Sequence, residues 1–145
     1  MKNAFELISK EKSVSFIHEE MKKIPLTTGF DEIFKFLREN KNFFEPVIIS
    51  NANTLSINMI LDHYQIDNFQ HIYTNKGYVD ERGLFTVEPY HEFDCQLCSP
   101  NLCKGDVLKN HLSKSEIERV VYIGDGANDF CPSYFLSDKD YVAAR

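Results

Sequence analysis

Val120-Val121-Tyr122-Ile123 is a short β-branched and aromatic run, and Gly124-Asp125-Gly126 breaks it at once. An apolar run this brief, bounded by turn residues, reads as a strand of a parallel sheet that ends on a carboxylate. A second run of the same kind, Val47-Ile48-Ile49, follows Pro46 and leads into Ser50 and Asn51. From Thr54 to about Tyr64, Leu55, Ile57, Met59, Ile60 and Leu61 fit a largely buried helix, and His71-Ile72-Tyr73-Thr74 reads as another brief strand. Strand, helix, strand is the unit of a parallel sheet, so the fold class is α/β.

The flanking segments read as helices and a hairpin. Val14, Ile17, Met21 and Ile24 recur at helical spacing up to Pro25, and Phe30, Ile33, Phe34 and Leu37 repeat the pattern to about Asn40. Thr28 followed by Asp31 resembles a capping arrangement for that second helix. Tyr78-Val79 and Leu84-Phe85-Thr86-Val87 flank Asp80-Glu81-Arg82-Gly83, the pattern of a hairpin. The cysteine-bearing stretch 95–103 reads as a loop, Lys104 to about Leu112 as a helix, and Tyr141-Val142-Ala143-Ala144 as the start of a further strand.

Composition narrows the function. With 16 Lys plus Arg against 22 Asp plus Glu, the formal charge is −6. The longest basic run is Lys22-Lys23, so the electrostatic footprint of a nucleic-acid binder is missing. No apolar run approaches the roughly 20 residues a membrane helix needs. The N-terminus meets charge too early for a signal-peptide core, which points to a reducing, cytoplasmic setting in which Cys95, Cys98, Cys103 and Cys131 are thiols or metal ligands.

Three features then share one geometry. Ser50 ends one expected parallel strand, Asp125 ends another, and Lys104 begins the helix that precedes the second. Ligands of such sheets bind at the carboxyl ends of strands. A hydroxyl, a cation and the carboxylates Asp125 and Asp129 suit a phosphoryl group held by Ser50 and Lys104, with Mg²⁺ held by the acids. Each feature has a plainer reading: Ser50 or Asn51 as a helix cap, Lys104 as a solvated surface charge, Gly124-Asp125-Gly126 as a tight turn. An EF-hand reading fails, because no alternating oxygen ligands precede the glycine. The functional reading rests on the conjunction, in order.

At this point a resemblance becomes specific. The stretch Val120 to Pro132, Val-Val-Tyr-Ile-Gly-Asp-Gly-Ala-Asn-Asp-Phe-Cys-Pro, resembles the fourth motif of the haloacid dehalogenase superfamily, in the form found in its phosphoethanolamine/phosphocholine and pyridoxal phosphate phosphatases. Cys95-x2-Cys98-x4-Cys103-Lys104 resembles the third-motif region and Ile48-Ile49-Ser50-Asn51-Ala52-Asn53 the second. The resemblance runs from about residue 16 to Arg145 and implies a Rossmann-like parallel sheet with a helical cap segment. It assigns residues 1–40 to that cap and 41–145 to a partial phosphatase core with a small hairpin insert at 76–88. It also implies hydrolysis of a small phosphorylated metabolite through an aspartyl-phosphate. Residue by residue, Ser50 would hold a phosphoryl oxygen, Lys104 would neutralise nucleophile and phosphate, Asp125 would bind Mg²⁺ directly, and Asp129 would support the metal directly or through water.

Two departures stand out. The superfamily's first motif, a central strand followed by Asp-x-Asp that supplies nucleophile and acid/base, has no counterpart before Val47. The literal match Asp138-Lys139-Asp140 comes after the fourth motif, without a preceding buried strand. The chain is therefore expected to be an incomplete phosphatase, inactive alone, with its central first strand absent and two half-sheets left with open inner edges. The second departure is Asn51, where the family usually has an aspartate that meets the substrate's ammonium. An amide does not neutralise a cation, which favours pyridoxal phosphate or another phosphomonoester over phosphocholine and phosphoethanolamine. Separately, Cys95, Cys98 and Cys103 with His91, Cys131 or His111 offer a structural zinc set, and a noncatalytic binding module is the rival reading.

Overall fold

Strand β1, Val47–Asn53, pairs in parallel with β2, His71–Val79, in the register Val47↔His71 to Ser50↔Thr74. After Ser50 the register shifts and pairing resumes only at Asn53↔Asn75. The strand expected to stop at Ile49 therefore continues for another turn of the pleat, and Ser50, Asn51 and Ala52 occupy its irregular bend. The far half of β2 turns from β1 to pair antiparallel with β3, Phe85–Glu88, so the short strand and the hairpin arm read separately from sequence are one strand.

The structure, a computed structural model, describes residues 2–144, and the chain divides into two compact units, Met1–Glu88 and Pro89–Arg145. The first is built on the sheet β1-β2-β3. Helix α4, Thr54–His63, connects β1 to β2, and its N-cap is Asn53, whose side-chain oxygen accepts from the Ser56 N–H at 2.9 Å. Helix α2, Val14–Met21, is capped by Ser13 and ends a turn before Ile24. Helix α3, Phe30–Glu39, starts instead from Gly29 in the left-handed region at φ 89°, with no side-chain cap bond, so Thr28 does not play the capping part its position suggested.

Helix α1, Lys2–Glu11, had no clear signal in the sequence, because Phe5, Leu7 and Ile8 are too few to establish a period. It earns its place by packing: Phe5 stacks on Phe85 at 4.5 Å, and the Ser9 hydroxyl accepts from the Phe85 N–H at 3.0 Å. Phe85, Val87 and Ile17 form the buried cluster, with Phe5, Met21 and Leu55 packed against it.

The second unit carries α5, Lys104–Leu112, and a parallel pair, β4 at Val121–Gly124 and β5 at Tyr141–Ala144, in the register Val121↔Tyr141 to Gly124↔Ala144. A 3₁₀ turn, Ala127–Asp129, runs straight into α6, Phe130–Tyr134. On β4 the alternation is clear: Tyr122 is buried, while Val121 and Ile123 on the opposite face are each 56% exposed. Among the described residues β1 and β4 each pair with one strand only, and they belong to different sheets. The α/β class holds, with a mixed rather than wholly parallel sheet.

Two outcomes follow from this packing. A Cβ added at Gly77 would lie 2.4 Å from the side-chain oxygen of Asn53, which is 1% exposed and caps α4. Gly77→Ala therefore costs about 1–3 kcal/mol, read as a lower urea midpoint. The bare apolar face of β4 predicts self-association of the purified chain, relieved by Ile123→Lys, in analytical ultracentrifugation; a monomer with a sharp, reversible thermal transition would contradict it.

Candidate active site

The Asp129 carboxylate is the hub of the second unit. It sits at the end of the 3₁₀ turn after β4, is buried, and accepts from four donors. Lys104 Nζ reaches Oδ1 at 2.6 Å and the Tyr122 hydroxyl reaches the same oxygen at 2.5 Å. The N–H groups of Gly126 and Asp125 donate to Oδ2 at 2.9 and 3.2 Å. Burial pushes the Asp129 pKa up, but the bonds from Lys104, Tyr122 and Gly126 outweigh it, and the group titrates below its usual value. Burial, with the bond to Asp129, raises that of Tyr122.

Local sequence explains why the turn closes on this side chain. Gly124 has no side chain to obstruct it: a Cβ there would lie 2.4 Å from the Asp129 carboxyl carbon. Ser133, one turn into α6, donates its hydroxyl to the Asp129 carbonyl at 2.7 Å. Lys104 is the first residue of α5, and its side chain and that of Asp129 are only 11% and 10% exposed. The Lys104 ammonium is thus a paired, largely buried charge, and the reading of it as a solvated surface lysine is excluded.

Asp125 behaves differently. Its side chain is exposed and has no hydrogen-bond or ion-pair partner among the described residues. It lines an open cleft of about 390 Å³ together with Gly124, Gly126, Asp129, Ser133 and Val142. The donor set suits Mg²⁺, which is commonly held by one or two carboxylates, with waters and phosphate oxygens completing its shell. Asp125 offers an uncommitted carboxylate, whereas the Asp129 oxygens are taken up by four donors.

Ser50 and Asn51 lie in the first unit. The helix-cap reading of either fails, since Asn53 caps α4. The Ser50 oxygen accepts from the Ala52 N–H at 3.1 Å, which leaves its O–H proton available. The Asn51 carbonyl accepts from the Asn75 side chain at 2.8 Å. The structure thus brings Lys104, Asp125 and Asp129 together within one unit, with Ser50 and Asn51 on the bend of β1 in the other.

Within the literal Asp138-Lys139-Asp140 match, Asp140 has a structural part. Asp140 accepts from the N–H of Val120 at 2.7 Å and from the N–H and hydroxyl of Ser137, each at 2.8 Å, and the Ser137 and Val120 bonds lower its pKa. It fixes the amino ends of β4 and β5, while Asp125 follows the carboxyl end of β4. The strand between them spans roughly 16 Å at about 3.3 Å per residue, too far for an attacking group.

Sequence reasoning missed Tyr122, which it counted only as an apolar strand residue. The available signal was its position: alternation turns it inward, and a buried tyrosine hydroxyl needs a partner. It also missed Gly124 as the space into which Asp129 folds.

The fold and these motifs define an α/β protein of the haloacid dehalogenase type. The chain belongs to the family described as Putative Phosphatase, which matches residues 1–145. Its relatives include the pyridoxal phosphate phosphatase of Mus musculus, 40% identical over 128 residues covering 84% of this chain and 53% of the relative. The phosphoethanolamine/phosphocholine phosphatase of Gallus gallus is 41% identical over 130 residues, covering 84% and 48%. Inorganic pyrophosphatase 1 of Arabidopsis thaliana is 35% identical over 151 residues, covering 97% and 50%. The chain therefore spans about half the length of the curated relatives it matches.

Removing the Tyr122 hydroxyl takes away one hydrogen bond to a charged, buried carboxylate. Tyr122→Phe is expected to cost about 1.5–3 kcal/mol in urea denaturation. No loss would mean that the phenol does not help to hold Asp129.

Proposed function

We infer that this chain carries the metal- and phosphate-binding portion of a Mg²⁺-dependent phosphomonoester phosphatase that works through an aspartyl-phosphate, and that the chain is inactive by itself. The observation that carries this reading is the Lys104–Asp129 pair at 2.6 Å, set beside an uncommitted Asp125 at the carboxyl end of β4. A cation locked to a buried carboxylate at a strand end, next to an open acidic ligand, matches the needs of phosphoryl chemistry, which are positioning and charge neutralisation.

In this reading each residue has a defined task. Asp125 would hold Mg²⁺ directly, while Asp129, its oxygens already taken by four donors, would support the site by fixing Lys104 and the turn that carries Asp125; the metal, when bound, supplies charge neutralisation at the phosphoryl oxygens. Lys104 fixes Asp129 with one N–H and keeps its other donors for the nucleophile and a phosphoryl oxygen. Ser50, as the resemblance assigns it, would hold a phosphoryl oxygen through its hydroxyl proton, which is available because its own oxygen accepts from Ala52. Tyr122 and the N–H groups of Asp125 and Gly126 keep Asp129 ionised and stationary. The nucleophile and the acid/base are not supplied by Asp138 or Asp140, and the sequence has no Asp-x-Asp pair before Ser50.

The substrate class is a small phosphorylated metabolite. Pyridoxal phosphate or another phosphomonoester is favoured over the phosphorylated amines, because Asn51 brings no charge to meet an ammonium. Residues 1–40 derive from the helical cap in this account, and 41–145 from the core. No helix among the described residues is long and apolar enough to cross a membrane; cysteines that serve as thiols or metal ligands suit a reducing, cytoplasmic setting.

The direct test is phosphate release by the 145-residue chain with Mg²⁺ and pyridoxal phosphate, phosphoethanolamine or inorganic pyrophosphate, beside Asp125→Ala. Release no greater than that of the variant is expected. Release that Asp125→Ala abolishes would overturn the inactivity and reveal a nucleophile elsewhere in the chain. Mg²⁺ is further expected to raise the melting temperature of the parent chain and not that of Asp125→Ala.

A further inference from the structure

Four cysteines converge in the second unit, away from any role in the phosphatase reading. Cys95, Cys98, Cys103 and Cys131 place all four Sγ atoms within 4.8 Å of one another. Two separations, Cys95 to Cys131 and Cys103 to Cys131, are each 3.8 Å. A tetrahedral ion with metal–sulfur bonds of about 2.3 Å requires sulfur–sulfur edges of about 3.8 Å. A disulfide would need about 2.05 Å between two of the sulfurs and would leave the other pair unexplained.

The surroundings are those of a ligand cage. Cys103 and Cys131 are buried and Cys95 and Cys98 half-buried, so the cluster is largely closed to solvent. A backbone N–H points at one of the sulfurs: Asp106, in the first turn of α5, donates to Cys103 Sγ at 3.5 Å. Such a donor stabilises sulfur that carries negative charge. Gly105 keeps the space open, since a Cβ there would lie 2.6 Å from Cys131 Sγ. His91, one of the possible fourth ligands in the sequence, is otherwise engaged: its Nε2 accepts from the Cys103 N–H at 3.2 Å. The fourth sulfur comes from Cys131, on α6.

We propose that these four thiolates form a closed structural site for one zinc ion, which clasps the loop before Lys104 to the helix after Asp129. Two close thiolates from the loop, one at the head of α5 and one from α6 make a tetrathiolate set with no open position, as expected of a structural rather than a catalytic ion. The compact spacing suits a mononuclear ion and leaves no room for a multi-iron cluster inside the sulfurs. Binding releases the thiol protons to solvent as four metal–sulfur bonds form, with no change in oxidation state. Cys103 directly precedes Lys104 and Cys131 follows Asp129 by two positions, so the ion fixes both ends of the buried ion pair. Its role is to position that pair without touching substrate.

The test is metal and thiol analysis of the whole chain, purified from zinc-supplemented medium without chelator and read regardless of association state. The expected result is one zinc per chain, four thiols protected from alkylation until the metal is stripped, and a fall in melting temperature on stripping that added Zn²⁺ reverses. Co²⁺ should replace the ion and give the charge-transfer and intense d–d bands of a tetrahedral tetrathiolate. Cys98→Ser and Cys131→Ser should each weaken zinc at least tenfold and blunt the cobalt spectrum; if either fails to fold, the parent chain's cobalt spectrum decides. Iron in place of zinc, a disulfide among the four, or freely alkylated thiols with no cobalt spectrum would each overturn the assignment.

Discussion

A single carboxylate that must remain ionised while buried governs the organisation of the second unit. Burying a carboxylate is costly unless its oxygens are satisfied, and Asp129 meets that constraint with a lysine, a phenol and two backbone N–H groups. The four donors commit three pieces of chain: the head of α5, the inward face of β4, and, through two N–H groups, the turn between β4 and α6. The constraint thus places Lys104 and leaves Asp125, whose N–H is used but whose side chain is not, facing the cleft. Structural order and a free acidic ligand arise from the same turn.

The first unit is organised by a different device. Just past the bend of β1, Asn53 rejoins the ladder opposite Asn75, caps α4 and lies against Gly77 of β2. Thr54 adds a reciprocal link, its hydroxyl bonding both the N–H and the carbonyl of Gly77 at 2.9 and 3.1 Å. Because asparagine takes the capping role, the Ser50 hydroxyl is spared it. Buried polar side chains, Asn53, Ser56, Thr74 and Asn75, gather around the bend, and its irregular pairing is a feature common next to functional sites.

The strands and helices that were legible in sequence are those whose own residues repeat at the right interval. Val120 to Ile123, Val47 to Ile49 and the Phe30-Ile33-Phe34-Leu37 face needed no tertiary information. Helix α1 was not legible, because its stability comes from Phe85 and from a serine capping a strand N–H some 76 positions away. The continuity of β2 was hidden by Asn75 and Lys76, polar residues that look like a break and instead mark the change from parallel to antiparallel pairing. At the site, charge and order along the chain were enough to pick out Lys104, Asp125 and Asp129. They could not separate a paired carboxylate from an open one, since that depends on which of the two the lysine, the tyrosine and the turn converge upon. Cysteine spacing likewise left the fourth member of the cluster undecided among Cys131, His91 and His111 until the fold placed it.

Lys104 and Asp129 act as one buried unit, and the order of the site depends on it. The most direct measurement is a double-mutant cycle in urea denaturation with Lys104→Met, Asp129→Asn and the two combined. The account predicts single losses of about 3–5 kcal/mol, each from a charge left buried without its partner, and a combined loss well below their sum. Losses that simply add, or single variants as stable as the parent, would show that the pair does not hold the site together.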